Sequence, residues 1–377
     1  MDYIIHQILP FIVALSIIVF VHEYGHFWVA RRNGVKVDVF SIGFGHELFG
    51  WTDSHGTRWQ FSLIPLGGYV KMHGDENAAS QPSESSSIKE EEKALTLQGK
   101  TPLQRIAVAA AGPLANFIFS ILVFFVIFNF KGEPIIQPVI GKIFEHSAAE
   151  RSGLQVNDKI LKVQHVDIKT FLDIKKPLSE NAGTSVPVLV ERDGTEQTVT
   201  VDLFSIDDTT QEKTPVKTLG ISPKSSDEAI QFNPLSFMDA VKQSFYMTYR
   251  FIVDTLVGFG VLITGGMKGG QLGGILSIGD AFSQAASDGI WPFLQLMAWI
   301  SIQLGVINLF PVPVLDGGHI LMNTVELIIR RPIPEIVQLW FYRIGATLVI
   351  GLMSYAMLSD VSRYKLVERF LSMIGVS

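Results

Sequence analysis

The chain alternates long apolar runs with polar stretches, and four of the runs are long enough to cross a bilayer core of about 30 Å. They cover residues 5–30, 106–130, 291–315 and 336–359. The second and third each hold 25 residues without a charge, the fourth is interrupted by Arg343, and Asp316 follows the third at once. The second run carries its own helix start. Thr101-Pro102-Leu103-Gln104 offers a cap, a proline for the first helical position and a glutamine to complete a capping box. Pro311 and Pro313 should break the third helix just before Asp316. Basic flanks at Arg31-Arg32, Lys100, Arg105 and Arg330-Arg331 are expected in the cytoplasm under the positive-inside tendency. Both termini and the segment between the second and third runs then lie outside.

Between the first two runs the pattern changes period. Residues 37–42 are rich in β-branched and aromatic side chains, and Trp59, Phe61 and Leu63 alternate with Arg58, Gln60 and Ser62, as in a half-covered strand. Pro65 and Gly67-Gly68 are expected to turn the chain back through Tyr69-Val70-Lys71. Residues 73–100 shift to Ser, Glu, Asn and Lys, the composition of a flexible cytoplasmic linker. Residues 137–223 read as a β-rich external domain. Strand candidates at 139–144 and 159–166 flank a short helix at 147–152, and strands at 186–192 and 197–203 join across Asp193-Gly194. Residues 237–263 mix apolar side chains with Lys242, Arg250 and Asp254, the pattern of an interfacial amphipathic helix. Glycine pairs at 265–266, 269–270 and 273–274 interrupt the chain beyond that helix.

Composition narrows the class. Of 377 residues 47% are apolar and 18% charged, against about 25% charged in a typical soluble domain, so several segments belong in lipid. A net charge of −6 gives no reason to expect a nucleic-acid partner. The absence of cysteine excludes disulfides, thiolate metal ligands and thiol catalysis. The first run lacks a basic leader and a small-residue cleavage site, so it is expected to stay as a membrane helix.

That run ends in His22-Glu23-Tyr24-Gly25-His26, an H-E-x-x-H sequence. Residues four apart share a helix face, so both imidazoles can reach one ion with Glu23 beside it as candidate general base. A catalytic zinc site usually takes a third protein ligand. Asp316 is the candidate, because a carboxylate at the end of an uncharged span needs a partner; an aspartate there could equally cap a helix. Pro113 and Asn116 either support such a site or belong to ordinary packing through Ala109, Ala110, Ala111 and Gly112.

Taken together, HEYGH at 22–26, GFG at 43–45, AAGPLANF at 110–117, GGILSIG at 273–279 and NLFPVPVLDGGH at 308–319 resemble the site-2 intramembrane zinc metalloproteases. Within them the chain is most similar to the bacterial regulator-of-sigma-E protease group. The stretch SAAERSGLQVNDKILKVQHVDI resembles a PDZ domain, with Asn157 where glycine is usual. The resemblance implies an α-helical polytopic membrane protein of about four transmembrane helices, with a membrane-associated β-loop and one external PDZ-like domain. It divides the chain into 1–72 (first helix and re-entrant β-loop), the linker 73–100, a second helix at 101–132 and the PDZ-like domain 137–223. An interfacial, glycine-rich segment at 234–290 and the last two membrane helices at 291–377 complete it.

The resemblance further implies Zn2+ held by His22, His26 and Asp316, with Glu23 as catalytic carboxylate and Asn308 near the scissile carbonyl. Gly43, Phe44 and Gly45, with Trp59, Phe61 and Leu63 on the following strand, would hold substrate, and His319 would be structural. The implied substrates are single-pass membrane proteins in the bilayer, of the anti-sigma-factor type, or signal-peptide remnants. The implied place is a bacterial inner membrane with the PDZ-like domain periplasmic. A catalytically inactive PDZ scaffold is the competing reading; loss of a ligand would signal it, and none is lost.

Overall fold

The computed structural model describes residues 8–75, 92–181, 184–206, 213–224, 230–264 and 274–364. Two compact units emerge, one of Met1–Ile127 with Phe237–Ser377, the other of Phe128–Ser236. The first unit opens with α1 (Leu9–Arg32), which has Pro10 in its first turn, where a missing N–H costs nothing. It stops at Asn33, and Gly34 takes φ 70°. A long bent hairpin of β1 (Val37–Thr52) and β2 (Arg58–Met72) comes next, then α2 (Pro102–Phe130) with Pro113 inside it. Thr101 and Gln104 make the reciprocal cap that the sequence suggests. The Thr101 N–H donates to Gln104 Oε1 at 3.1 Å, and the Gln104 N–H to Thr101 Oγ1 at 3.4 Å.

The hairpin folds over α1. Residues 37–42 meet 68–72 on one side, with Val37 opposite Met72, and 58–61 on the other, with Phe40 opposite Trp59. The outer part pairs Phe49 with Phe61 and Trp51 with Trp59. Pro65 and Gly67-Gly68 turn the chain back as expected: 58–61 run parallel to 39–42, and after a bend that sets Ile64 opposite Phe44 the chain returns through 68–72 antiparallel to 37–42. The bend needs backbone that only glycine adopts freely, and Gly43, Gly45 and Gly67 stand at φ 91°, 90° and 101°. Beneath it Phe27, Phe40, Val70 and Met72 form a buried cluster with Val108 of α2. Leu48 and Phe49 at the outer end stay 64% and 63% exposed, an apolar surface suited to lipid.

At the turn between β1 and β2, Asp53 accepts from Arg31 Nη1 at 2.8 Å, Trp59 Nε1 at 3.2 Å and the backbone N–H groups of His55 at 2.9 Å and Thr57 at 3.0 Å. Burial alone would raise its pKa, but the donors outweigh it and hold the carboxyl at about 2. Residues 76–91 of the expected linker lie outside the described residues. Residues 92–100 do not behave as a free linker: the Lys36 N–H donates to the Leu95 carbonyl at 2.9 Å, and Leu97 packs on the hairpin cluster.

The second unit is β-rich. Its elements run β3 (Glu133–Ile136), β4 (Ile140–Ile143), α3 (Ala148–Arg151), β5 (Lys159–Val163), β6 (Val166–Asp167), α4 (Lys175–Glu180), β7 (Ser185–Arg192) and β8 (Thr195–Asp202). Then come β9 (Phe204–Ile206), β10 (Lys213–Pro215), β11 (Ile221–Pro223) and β12 (Ile230–Asn233). One sheet has the order β6-β5-β7-β8; β4 pairs with β11 and β3 with β12. Asp193 at φ 51° and Gly194 at φ 77° make the tight turn between β7 and β8. Alternation then buries Val186, Val188 and Val190 with Ile160, Val163 and Val201, all at 0% exposure, so this unit has a complete aliphatic core of its own. Asn157 takes the left-handed φ of 76° that its sequence position calls for.

The chain returns to the first unit with α5 (Phe237–Ile263), α6 (Ile275–Ser287), α7 (Ile290–Leu309), α8 (Asp316–Ile329) and α9 (Glu335–Arg363). Among the described residues, α1, α2, α7 and α9 are long and apolar enough to cross a membrane, and α5 is not among them. Half of the most apolar window of α2 is buried against 11% for α9, so α2 is central and α9 peripheral. The third run is shorter as a helix than the uncharged stretch suggests. α7 ends at Leu309, and the prolines carry the chain through Phe310–Leu315 in non-helical form before α8 starts at Asp316. The glycine pairs at 265–266 and 269–270, with Gly273, lie outside the described residues, and α6 begins directly after Gly274. The Asp360 carboxylate of α9 accepts from the backbone N–H groups of Gly274 and Leu276, both at 2.9 Å, a cap from a residue far along the chain.

Candidate metal centre

α1 sets His22 and His26 on one face, a turn apart, and α2 crosses close enough to enclose them. At the crossing Gly25 lies against the Ala111 carbonyl, and a Cβ there would stand 2.8 Å from Ala115 Cβ. A Cβ on Gly112 would strike His26 Nε2 and lie 2.8 Å from His22 Cε1. The small residues of α2 therefore make the room that the imidazoles occupy. Asp316 enters from the other end of the sequence, as the first residue of α8. One nitrogen from each histidine and one oxygen from Asp316 all lie within 4.8 Å of one another.

Their separations are those of groups gathered around a common point. His22 Nε2 and His26 Nε2 are 3.2 Å apart, His22 Nε2 is 3.2 Å from Asp316 Oδ2, and His26 Nε2 is 3.4 Å from Asp316 Oδ1. Asp316 Oδ2 is buried yet makes no hydrogen bond, which leaves it short of a partner in a place where that is costly. Two imidazole nitrogens and one carboxylate, with a cavity on the open side, are a donor set that fits zinc.

The far sides of the rings are also held. His26 Nδ1 donates to the Val108 carbonyl at 2.8 Å, which directs the Nε2 lone pair inward. His22 Nδ1 lies 3.1 Å from Asn116 Nδ2, and Asn308 Nδ2 lies 3.2 Å from His22 Nε2. A cavity of about 240 Å³ opens on the cluster, and Glu23, Tyr69, Arg105, Ala109 and Asn308 line it. Glu23 sits there against Gly68 of β2. His319 also faces the cavity but is outside the three-atom group; the Tyr342 hydroxyl stands 3.3 Å from its Nδ1.

The fold thus brings His22, Glu23, His26, Asn308 and Asp316 to one cavity. It does not bring Gly43, Phe44, Gly45, Trp59, Phe61 or Leu63 to the wall, which the hairpin supplies through Gly68, Tyr69, Val70 and Met72. Trp59 belongs to the packing, its ring 4.5 Å from Phe40 and 5.0 Å from Phe27. Phe44 stacks on Tyr69 with centroids 6.0 Å apart, while Phe61 and Leu63 are exposed. Sequence reading passed over Tyr69 and Arg105. The Gly67-Gly68 pair beside Tyr69 was the available signal, whereas Arg105, paired with Glu326 of α8 at 2.6 Å, read only as a basic flank.

Paired imidazoles, a carboxylate and a neighbouring glutamate, set among helices of membrane length, form a donor set suited to metal-assisted hydrolysis. The sequence model of peptidase family M50 matches residues 10–352, and the chain belongs to that family. It is 40% identical over 94% of its length to a protein of Agrobacterium fabrum named as a zinc metalloprotease, covering 95% of that relative. A similarly named protein of Rhizobium meliloti is 36% identical over 96% of this chain and 98% of its own. The metalloprotease MmpA of Caulobacter vibrioides is 33% identical over 93% of this chain and 94% of its own. The protein is a membrane zinc metalloprotease.

Proposed function

We propose that the protein hydrolyses peptide bonds within transmembrane segments of single-pass membrane proteins, with His22, His26 and Asp316 holding the zinc. The observation that carries the reading is the meeting of three ligating atoms within 4.8 Å, from residues at opposite ends of the chain, beside a cavity that Glu23 lines. When bound, zinc supplies Lewis acidity that polarises a carbonyl and makes water acidic enough to attack near neutral pH. Glu23 accepts the proton of the attacking water and delivers it to the leaving amine. Asn308, with its amide nitrogen already directed into the cluster, donates to the oxygen on which negative charge develops.

A helical substrate hides its peptide groups in its own hydrogen bonds, so it must open before a bond can reach Glu23. The bent hairpin supports a strand-addition role, with Gly43, Phe44 and Gly45 at the bend and Phe61 and Leu63 on the exposed outer part receiving the extended segment. The second unit is read as a PDZ-like domain on the periplasmic side of a bacterial inner membrane, screening substrates before they reach the cavity. Substrates of the anti-sigma-factor type and signal-peptide remnants both meet these requirements.

The test is cleavage of a model single-pass substrate by purified protein. Glu23→Gln should lower turnover by at least about 10²-fold, and a zinc chelator should abolish it. Undiminished cleavage in either case would rule out the mechanism.

A further inference from the structure

The two imidazoles are anchored by different kinds of group, and the difference has a chemical consequence. His26 Nδ1 faces a backbone carbonyl, which can only accept, so that nitrogen carries the proton and Nε2 keeps its lone pair toward the centre. His22 Nδ1 faces a carboxamide, which has a donor end and an acceptor end. With Asn116 Nδ2 toward the ring at 3.1 Å, Nδ1 accepts and Nε2 carries the proton, 3.2 Å from Asp316 Oδ2 and set against the donor nitrogen of Asn308 at the same distance. That tautomer has no Nε2 lone pair to offer a cation. A half-turn of the amide presents Oδ1 instead, Nδ1 takes the proton, and Nε2 is freed.

Two observations make Asn116 the group that decides. Its side chain is wholly buried, and its Oδ1 is among the few buried side-chain atoms without a hydrogen-bond partner. Its backbone is fixed from α7, because Ser301 Oγ donates to the Asn116 carbonyl at 3.1 Å while Ser120 Oγ lies 2.9 Å from that carbonyl and 3.0 Å from that of Ala298. The residue cannot drift, but its terminal amide can rotate in place.

On the reading that His22 is a zinc ligand, we propose that Asn116 is a positioning residue whose carboxamide oxygen accepts the His22 Nδ1 proton and so selects the zinc-binding tautomer. Removing such an outer partner weakens metal binding by about 10–100-fold. The role predicts an asymmetry that packing does not: a carboxylate, which only accepts, should replace the amide, and an isosteric apolar side chain should not.

The experiment is zinc competition against a chromogenic chelator on the full-length protein in detergent. Asn116→Leu should lose zinc affinity by about 10–100-fold and Asn116→Asp should stay close to wild type. Histidine-selective 15N spectra of zinc-loaded wild type and Asn116→Asp should both show His22 protonated at Nδ1. Equal loss in Asn116→Leu and Asn116→Asp would overturn the acceptor role, and so would wild-type affinity in Asn116→Leu. His22→Ala separates the layers. If it too bound zinc like wild type, the ligand assignment beneath the proposal would fail, whereas loss there with none in Asn116→Leu would overturn the positioning role alone.

Discussion

The β-rich unit and the helical unit are specified in opposite ways. In Phe128–Ser236 the information is local: alternation fills an aliphatic core, and a two-residue turn at Asp193-Gly194 sets the register of β7 against β8. In the helical unit the decisive contacts join residues far apart, with Gly25 against Ala111, Gly112 under the imidazoles, Asp360 capping α6 and Asp316 facing α1. Burial from water drives the first. Helices in lipid gain little from apolar burial against one another, so close fit and interhelical polar contacts select the second arrangement.

The largest expected effect comes from filling the space on α2. Gly112→Val places a branched side chain where both imidazoles lie, so zinc binding and cleavage should fall below detection while the far-UV strand signal of the β-rich unit persists. Retained zinc would show that the crossing is looser than these contacts imply. Next, Ile160→Ala empties a fully buried position in the other unit and should cost about 2–5 kcal/mol of its stability, read by limited proteolysis, with zinc affinity unchanged. Gly194→Val forces a branched residue to φ 77° and should cost about 1–3 kcal/mol in the same assay.

The smallest effect is a pH dependence in the hairpin. The folded pKa of Asp53, held at about 2, lies below its ordinary value of 3.8, so its contribution is complete above that ordinary value and fades as pH falls toward 2. Asp53→Asn should remove this slope from thermal melts taken between pH 5 and 2. A slope that survives would assign it to another carboxylate.

The same division explains how much of the molecule is legible in its sequence. The Thr101–Gln104 cap, the Asp193-Gly194 turn and the left-handed Asn157 each depend on a few adjacent residues, and each is visible there. So is the pairing of His22 with His26, because one helical turn is a fixed length. Apart from the resemblance of its motif, Asp316 is a candidate only by its cost in lipid, since nothing near residue 316 reports the position of α1. The cap on α6 was hidden for that reason, its carboxylate lying on α9. The hairpin bend was legible. Pro65 and Gly67-Gly68 signal a turn locally, and the chain does reverse there, with 58–61 parallel and 68–72 antiparallel to 37–42. The wall residues Tyr69 and Arg105 emerge only once the cavity is formed.

Pro113 leaves a mark one turn before it. Having no amide hydrogen, it cannot bond the carbonyl of Ala109, four residues earlier on α2, and Ala109 borders the cavity. An otherwise greasy helix thereby leaves one backbone oxygen without its regular donor, on a residue at the edge of the chamber where hydrolysis must find its second reactant.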